Sequence, residues 1–452
     1  IEQITPQISQ FNLNAAYGGY DPQFTFGGPH QYNDSGAYFQ DGQLVLPTED
    51  YGNDFNSALT GGTPWGMTYN LGGSINEQHI TKNFSTNFLS GDSSSGSVGL
   101  SVTQPLLKNF WIDNNRLTIL VAKNQLKYSE QVLRNQLITT LTAVENAYYE
   151  LIYARENVNV QQEALTLAQT QLDQDQQRVQ VGSLAPLDVQ QDQAQVAQSR
   201  ANLIAAQNTY SVDQNTLKNL LTDNYSQWHD VDIDPTATLE AVRQLFDVQD
   251  SWSKGMTERP DLQEAKLNVE RQGIQLKYDR NQLYPEVDLI GSYGFNGSGD
   301  QYHNSFEQMN DGSRPYYSYG GQLTVPLSNA KARNQFKSSK ATEKQLLLQL
   351  KQLEQNVMVQ IDNAVKQAQS AWESAAATKQ ARIYAEAALD AEQKKYAVGK
   401  STTFTVLQLQ NNLTTARSNE IRSLADYNQA LANLAAAEGT TLERQHLDIK
   451  AK

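Results

Sequence analysis

Residues 137–180 read LITTLTAVENAYYELIYARENVNVQQEALTLAQTQLDQDQQRVQ. Every seventh position is apolar: Leu137, Val144, Leu151, Val158, Leu165, Leu172 and Val179. A straight helix has roughly 3.6 residues per turn, so a strict repeat of seven predicts helices wound about one another in a left-handed supercoil. Val189, Val196, Leu203, Tyr210 and Leu217 form a second ladder. A third uses smaller residues: Leu350, Val357, Ala364, Ala371, Thr378 and Ala385. At a rise of about 1.5 Å per residue, helices over 112–180 and 330–396 would each be roughly 100 Å long. No single globular core encloses such helices, so they must pack on one another as a bundle or tube.

A second kind of sequence lies between them. Of 27 Gly, 15 fall in residues 1–105 and 7 in 284–326. Tyr also concentrates there, while residues 327–452 contain no Pro. These windows alternate with period two. Val98, Leu100 and Val102 interleave with Gly99, Ser101 and Thr103, and Val287, Leu289, Tyr293 and Phe295 interleave with Glu286, Asp288, Ser292 and Gly294. Phe24 and Phe26, the stretch from Trp65 to Ile75, and Tyr317, Tyr319, Leu323 and Val325 behave likewise. Such alternation predicts strands with one apolar and one wet face, which suits a soluble sandwich or an outer-membrane barrel.

The chain is also a duplication. Residues Arg178 to Ser183 align with Lys395 to Lys400 at an offset of 217, and Thr103 to Leu106 with Thr324 to Leu327 at 221. Pro22, Phe24 and Phe26 align with Pro285, Val287 and Leu289 at 263. The fall from 263 to 221 places 42 extra residues in the first half, between about 30 and 95. The expected organisation is a first repeat over 1–222, with a short helix, strands 22–30 and 96–105, and long helices 109–180 and 187–222. A linker or collar follows over 223–259. The second repeat, 260–440, has helix 260–283, strands 285–297 and 316–326, and long helices 330–396 and 403–438. A tail occupies 441–452. Gly182 and Gly399 interrupt helical patterns where a left-handed residue closes a helix.

Composition narrows the function. The 452 residues carry a formal charge of −14 and no Cys. That excludes disulfide scaffolds and thiolate metal sites, and it argues against nucleic acid, which selects basic clusters. No stretch approaches 18 apolar residues, so no transmembrane helix is expected. The chain starts at Ile1 without a signal peptide and is read as a mature or trimmed product. The five His lack ligand spacing, and the glycines at 291–299 are read as leading into a polar loop rather than a helix. Neither a metal nor a cofactor is therefore expected. No nucleophile, base and acid are brought together by spacing, so the chain is read as a non-enzyme.

The duplicated unit, the turns at 181–189 and 398–406, and the Pro-Leu pairs at 105–106 and 326–327 together resemble the TolC-like outer-membrane efflux channels. The resemblance implies a mainly helical protomer with about four strands. It implies a homotrimer, a shared 12-stranded barrel in outer-membrane lipid and a helical tunnel extending into the periplasm. It also implies a periplasmic adaptor coupled to an inner-membrane transporter, and conduction without chemistry. The adaptor-contact tips would be Val181, Gly182, Ser183, Leu184, Val398, Gly399, Lys400 and Ser401. A periplasmic gate would use Asp188 and Tyr396. The family's gate Arg falls at Ser401, beside Lys400, and its acidic constriction at Thr405 and Gln408. These are departures from a cation-selective pore and from a gate held by as many charged links. Asp188 and Asp192, four residues apart, share a helix face. The alternative reading is a structural coiled-coil surface or filament protein; internal duplication argues against it.

Overall fold

The computed structural model describes residues 4–40, 43–83 and 88–447. The first residues of the expected first helix and the end of the expected tail lie outside them. Two compact units are formed, each from two stretches of chain. One gathers Gln3–Ser129 and Lys266–Leu348, the other Glu130–Ala265 and Gln349–Lys452.

The first unit is built on an antiparallel sheet. Helix α1 (Ile4–Tyr17) leads into β1 (Gln23–Gly27) and β2 (His30–Asp34), and a small hairpin, β3 (Tyr38–Gln40) and β4 (Gln43–Val45), stands apart from the sheet. Three long strands follow: β5 (Thr48–Gly62), β6 (Thr68–Asn83) and β7 (Phe88–Pro105). From the second repeat come β8 (Glu286–Gly299), the helix α7 (Tyr302–Asn310) and β9 (Pro315–Thr324). The strand order is β1-β5-β6-β7-β8-β9, with β2 continuing along β5 beyond β1.

The four strands expected from the duplication are present as β1, β7, β8 and β9. The sheet also takes up β5 and β6 from the insertion, so the described residues supply six strand positions rather than about four. The cause is pattern: Phe55, Leu59, Leu71 and Ile75 fall on the same face as Phe24 and Leu100, so inserting β5 and β6 between β1 and β7 keeps the faces in phase. Strand β5 returns through the tight turn Thr63-Pro64-Trp65-Gly66-Met67, closed by Thr63 N donating to Met67 O at 2.9 Å. Gly66 sits at φ +90, and a Cβ there would lie 2.5 Å from Asn109 O.

The long helices start where local chemistry permits. Helix α2 is Asn114–Gln180, beginning later than the expected 109. Asn109 and Trp111 take positive φ, and Asp113 caps the helix by accepting from Arg116 N at 2.7 Å. Asn329, also at positive φ, precedes the matching α8 (Ala330–Ala397). The other helices are α3 (Pro186–Leu221), α4 (Tyr225–Trp228), α5 (Val248–Glu258), α6 (Pro260–Asn281), α9 (Thr403–Glu438) and α10 (Thr441–Arg444). No helix among the described residues is long and apolar enough to cross a membrane.

The second unit buries its core between helices. Leu262, Val357, Ile361, Val365, Ala368, Tyr427 and Leu434 form one cluster. Along α8 the buried Ile361, Ala368, Ala375, Leu389 and Tyr396 keep a spacing of seven or its double. This seam runs four residues out of phase with the Val357 ladder read from sequence, as the paired positions of a coiled coil require. The segment between α4 and α5 lies extended against these helices. Tyr210 and Tyr427 donate to Ile233 O and Val242 O, and Arg155 pairs with Asp234 at 3.3 Å.

Candidate functional site: the sheet faces and the hairpin tips

Pairing in the first unit sorts residues into rows across the sheet. Phe24, Leu59, Leu71, Leu100, Tyr293 and Tyr317 are successive partners across all six strands. One residue along each strand, on the other face, Gln23, Thr60, Asn70, Ser101, Ser292 and Ser318 form a second unbroken row. The first row is apolar and largely exposed: Phe24, Leu71, Leu100, Tyr293 and Tyr317 all stand open. The second is polar throughout. Exposed apolar groups on one face, with small polar groups behind them, match a wall between lipid and water. Helix α7 covers the far end of the apolar face. Tyr302 lies 6.1 Å from Phe55, ring to ring, and Gly297 leaves room for the α7 backbone, since a Cβ there would meet Ser305 O at 1.9 Å.

The second unit carries the hairpin tips. Both helices arriving at a tip end in the same way. Gly182 and Gly399 take φ +75 and +74. Ser183 N donates to Arg178 O at 2.8 Å, and Lys400 N to Lys395 O at 2.9 Å. This satisfies last-turn carbonyls through a left-handed glycine. The returning helices start differently. Helix α3 has Pro186 in its first turn and Asp188 near the positive end of its dipole, whereas Thr402 caps α9 by accepting from Thr405 N. Apolar side chains project at both tips in duplicated positions: Val181 is 79% exposed and Val398 69%, Leu187 63% and Phe404 65%. Ser183 and Lys400 are exposed, and Leu184 and Ser401 are half-buried. Ser401 donates to Glu392 at 2.6 Å.

Just behind the tips lies a polar cluster. The Tyr396 hydroxyl donates to Asp175 Oδ1 at 2.7 Å and lies 2.9 Å from Thr403 Oγ1. Gln171 Nε2 donates to Asp175 Oδ2 at 2.7 Å, and the Arg178 guanidinium stacks 4.4 Å over the Tyr396 ring. Asp175 and Asp192 are both 0% exposed. Among the described residues no donor serves either oxygen of Asp192. Burial first, then the charge of Asp175, pushes the Asp192 carboxyl up to about 7, so below that pH it holds a proton that it can share with Asp175. Burial likewise raises Tyr396 to about 12.

The expected gate residues are thus placed unequally. Tyr396 is buried and bonded, but to Asp175 of α2. Asp188 is half-buried, and its charge adds to the upward shift of Asp192. Lys400 and Gln408 are exposed, and Thr405 lies beside Thr402 at 3.0 Å. Sequence reasoning passed over Asp175, Arg178 and Thr403. Spacing held the signal for one of them: Asp175 follows Ala154 and Ala168 at multiples of seven, a carboxylate on a buried seam.

The sequence profile described as "Outer membrane efflux protein" matches residues 67–222 and 253–440. The chain belongs to that family. It is an outer-membrane efflux channel of the TolC type, a transport protein rather than an enzyme, and the filament alternative is set aside. Channels of this family form trimers within efflux systems. This TolC-family chain is 26% identical over 368 residues to the outer membrane protein TolC of Vibrio cholerae, covering 78% of this chain and 79% of that one. It is 26% identical over 321 residues to the efflux protein BepC of Brucella suis, covering 70% and 66%. Its fold matches the outer membrane protein VceC of Vibrio cholerae with a TM-score of 0.68 at 18% identity, covering 97% of this chain and 92% of that one.

Proposed function

We propose that this channel is the exit duct of a tripartite efflux or secretion system. Three copies associate, the sheets sit in outer-membrane lipid, and the helical hairpins reach into the periplasm. There the tips meet an adaptor protein that couples the duct to an inner-membrane transporter, and small molecules or exported substrates pass outward. The observation that carries this reading is the pair of rows across the sheet, one apolar and exposed, the other polar. The duplicated apolar side chains at Val181, Leu187, Val398 and Phe404 support docking at the tips, because exposed apolar patches mark contact surfaces. The segment over 223–259 is read as a collar on the helices.

The tips also form the gate. Asp188 and Tyr396 belong to it, with Lys400, Thr405 and Gln408 lining its approach, and the Tyr396–Asp175 bond ties arriving helices together. Reconstitution in a planar bilayer tests both levels. The trimer is expected to conduct, and Asp188→Ala to raise single-channel conductance. A trimer that never conducts would overturn the duct; unchanged conductance in the variant would remove Asp188 from the gate.

A further inference from the structure

We propose that three copies of this chain close a barrel of eighteen strands, six from each, with the 42-residue insertion built into the wall. The inference rests on the channel reading above and adds the size and composition of its barrel.

Strand β5 pairs with β6 from Thr48–Lys82 to Gly62–Thr68, and β6 with β7 from Thr68–Thr103 to Asn83–Phe88, without a break. The inserted strands place Leu59 and Leu71 in the apolar row, and Thr60 and Asn70 in the polar row. A one-residue slip would exchange the faces of an entire strand, so agreement across six strands is a specified feature. Phe55 and Ile75, also partners, extend the same apolar face. Removing this hairpin from the wall would leave those side chains without their lipid-facing neighbours and strip β1 of its partner.

The connections agree. The β5–β6 turn is short and lies at the helix end of the sheet, where Gln104 Nε2 donates to Trp65 O at 3.4 Å and Arg116 reaches Pro64 O at 3.5 Å. Short turns at one end and longer loops at the other are the habit of outer-membrane barrels.

The edges decide the partner. Strands β1 and β9 end the sheet, and among the described residues neither has a second strand beside it. Six strand positions in an antiparallel meander leave β1 and β9 running in opposite directions. The β9 edge of one copy therefore meets the β1 edge of the next antiparallel, a head-to-tail contact that closes as a ring and removes every free edge. Diameter grows about linearly with strand number, so eighteen strands enclose roughly twice the cross-section of twelve.

Introduced disulfides test this cleanly, because the chain has no Cys. The full chain is purified in detergent with cysteine pairs and oxidised, and linked peptides are identified by mass spectrometry. Phe24→Cys with Leu59→Cys, and Leu71→Cys with Leu100→Cys, are expected to link within a protomer. Phe24→Cys combined with Tyr317→Cys, Tyr319→Cys or Leu323→Cys is expected to link between protomers and give a covalent trimer. Links from Phe24→Cys to Val98→Cys or Leu100→Cys, about three strand spacings or roughly 14 Å away in the proposed wall, would overturn it. So would links from Leu71→Cys to β9 of another copy. Either result within an intact conducting trimer leaves the channel reading standing, whereas failure to trimerise would sink both. Counting strands in end-on electron cryomicroscopy of the unmodified trimer gives the same decision without substitutions: eighteen supports the proposal and twelve refutes it.

Discussion

Asp175 and Asp192 occupy seam positions that hold Ala168 on α2 and Ser199 and Ala206 on α3. Burial, and then the neighbouring Asp175 charge, raise the Asp192 carboxyl to about 7. The groups around them are Arg178 from α2, Asp188 from α3, Tyr396 from α8 and Thr403 from α9. The pH dependence follows. The folded pKa of Asp192, about 7, lies above its ordinary value of 3.8, so its contribution to stability is fully present below that value. It is lost as pH rises between about 4 and 7. Protection against hydrogen exchange over residues 171–196, taken relative to the intrinsic rate at each pH, should therefore be greater at pH 5.5 than at pH 8, and Asp192→Asn should flatten the difference. An unaltered pH response in that variant would show that another group carries it. Seven-residue spacing alone is enough to put Asp175 on a seam, although the sequence reading passed over it. That it faces a second carboxyl required knowing which helices become neighbours.

At the scale of elements, the tips show how far local sequence reaches. Val-Gly after a long helical pattern predicts a left-handed stop, and both glycines take it. A Cβ at Gly182 or Gly399 would meet nothing within 4 Å, so alanine there is penalised by backbone strain alone, about 1–2 kcal/mol at each site. Gly182→Ala with Gly399→Ala is expected to speed exchange in the last helical turns while leaving the sheet unaffected; protection equal to the parent would contradict the strain argument. Alternation marked β1, β6, β7, β8 and β9, but β5 was not read as a strand, and β7 begins at Phe88 rather than at the expected 96. The fate of the insertion was not legible, since alternation says that a strand has two faces but not which strand lies beside it. Pairing distant in sequence resolved that, by setting β5 next to β1 and β6 next to β7.

For the whole molecule, an exposed apolar row across the sheet predicts behaviour outside lipid. The protein should need detergent for extraction and should run as a trimer in it. A monomer soluble in plain buffer would be incompatible with the membrane wall. The ion pairs between helices add specificity more than stability at such partly exposed sites. Arg422 with Glu150 at 2.6 Å, and Arg382 with Glu420 at 2.5 Å, fix which helix faces meet.

The sequence by itself determined the periodicities, the duplication, the helix stops and hence the family. All of these are local or self-similar properties that a chain displays without folding. The tertiary structure decided what depends on neighbours. It put six strands in register, gave the Tyr396 hydroxyl to Asp175, and buried Asp192 beside that same carboxyl. The physical reason is shared: a seven-residue ladder or a two-residue alternation says which side of an element is covered, and only packing says by what.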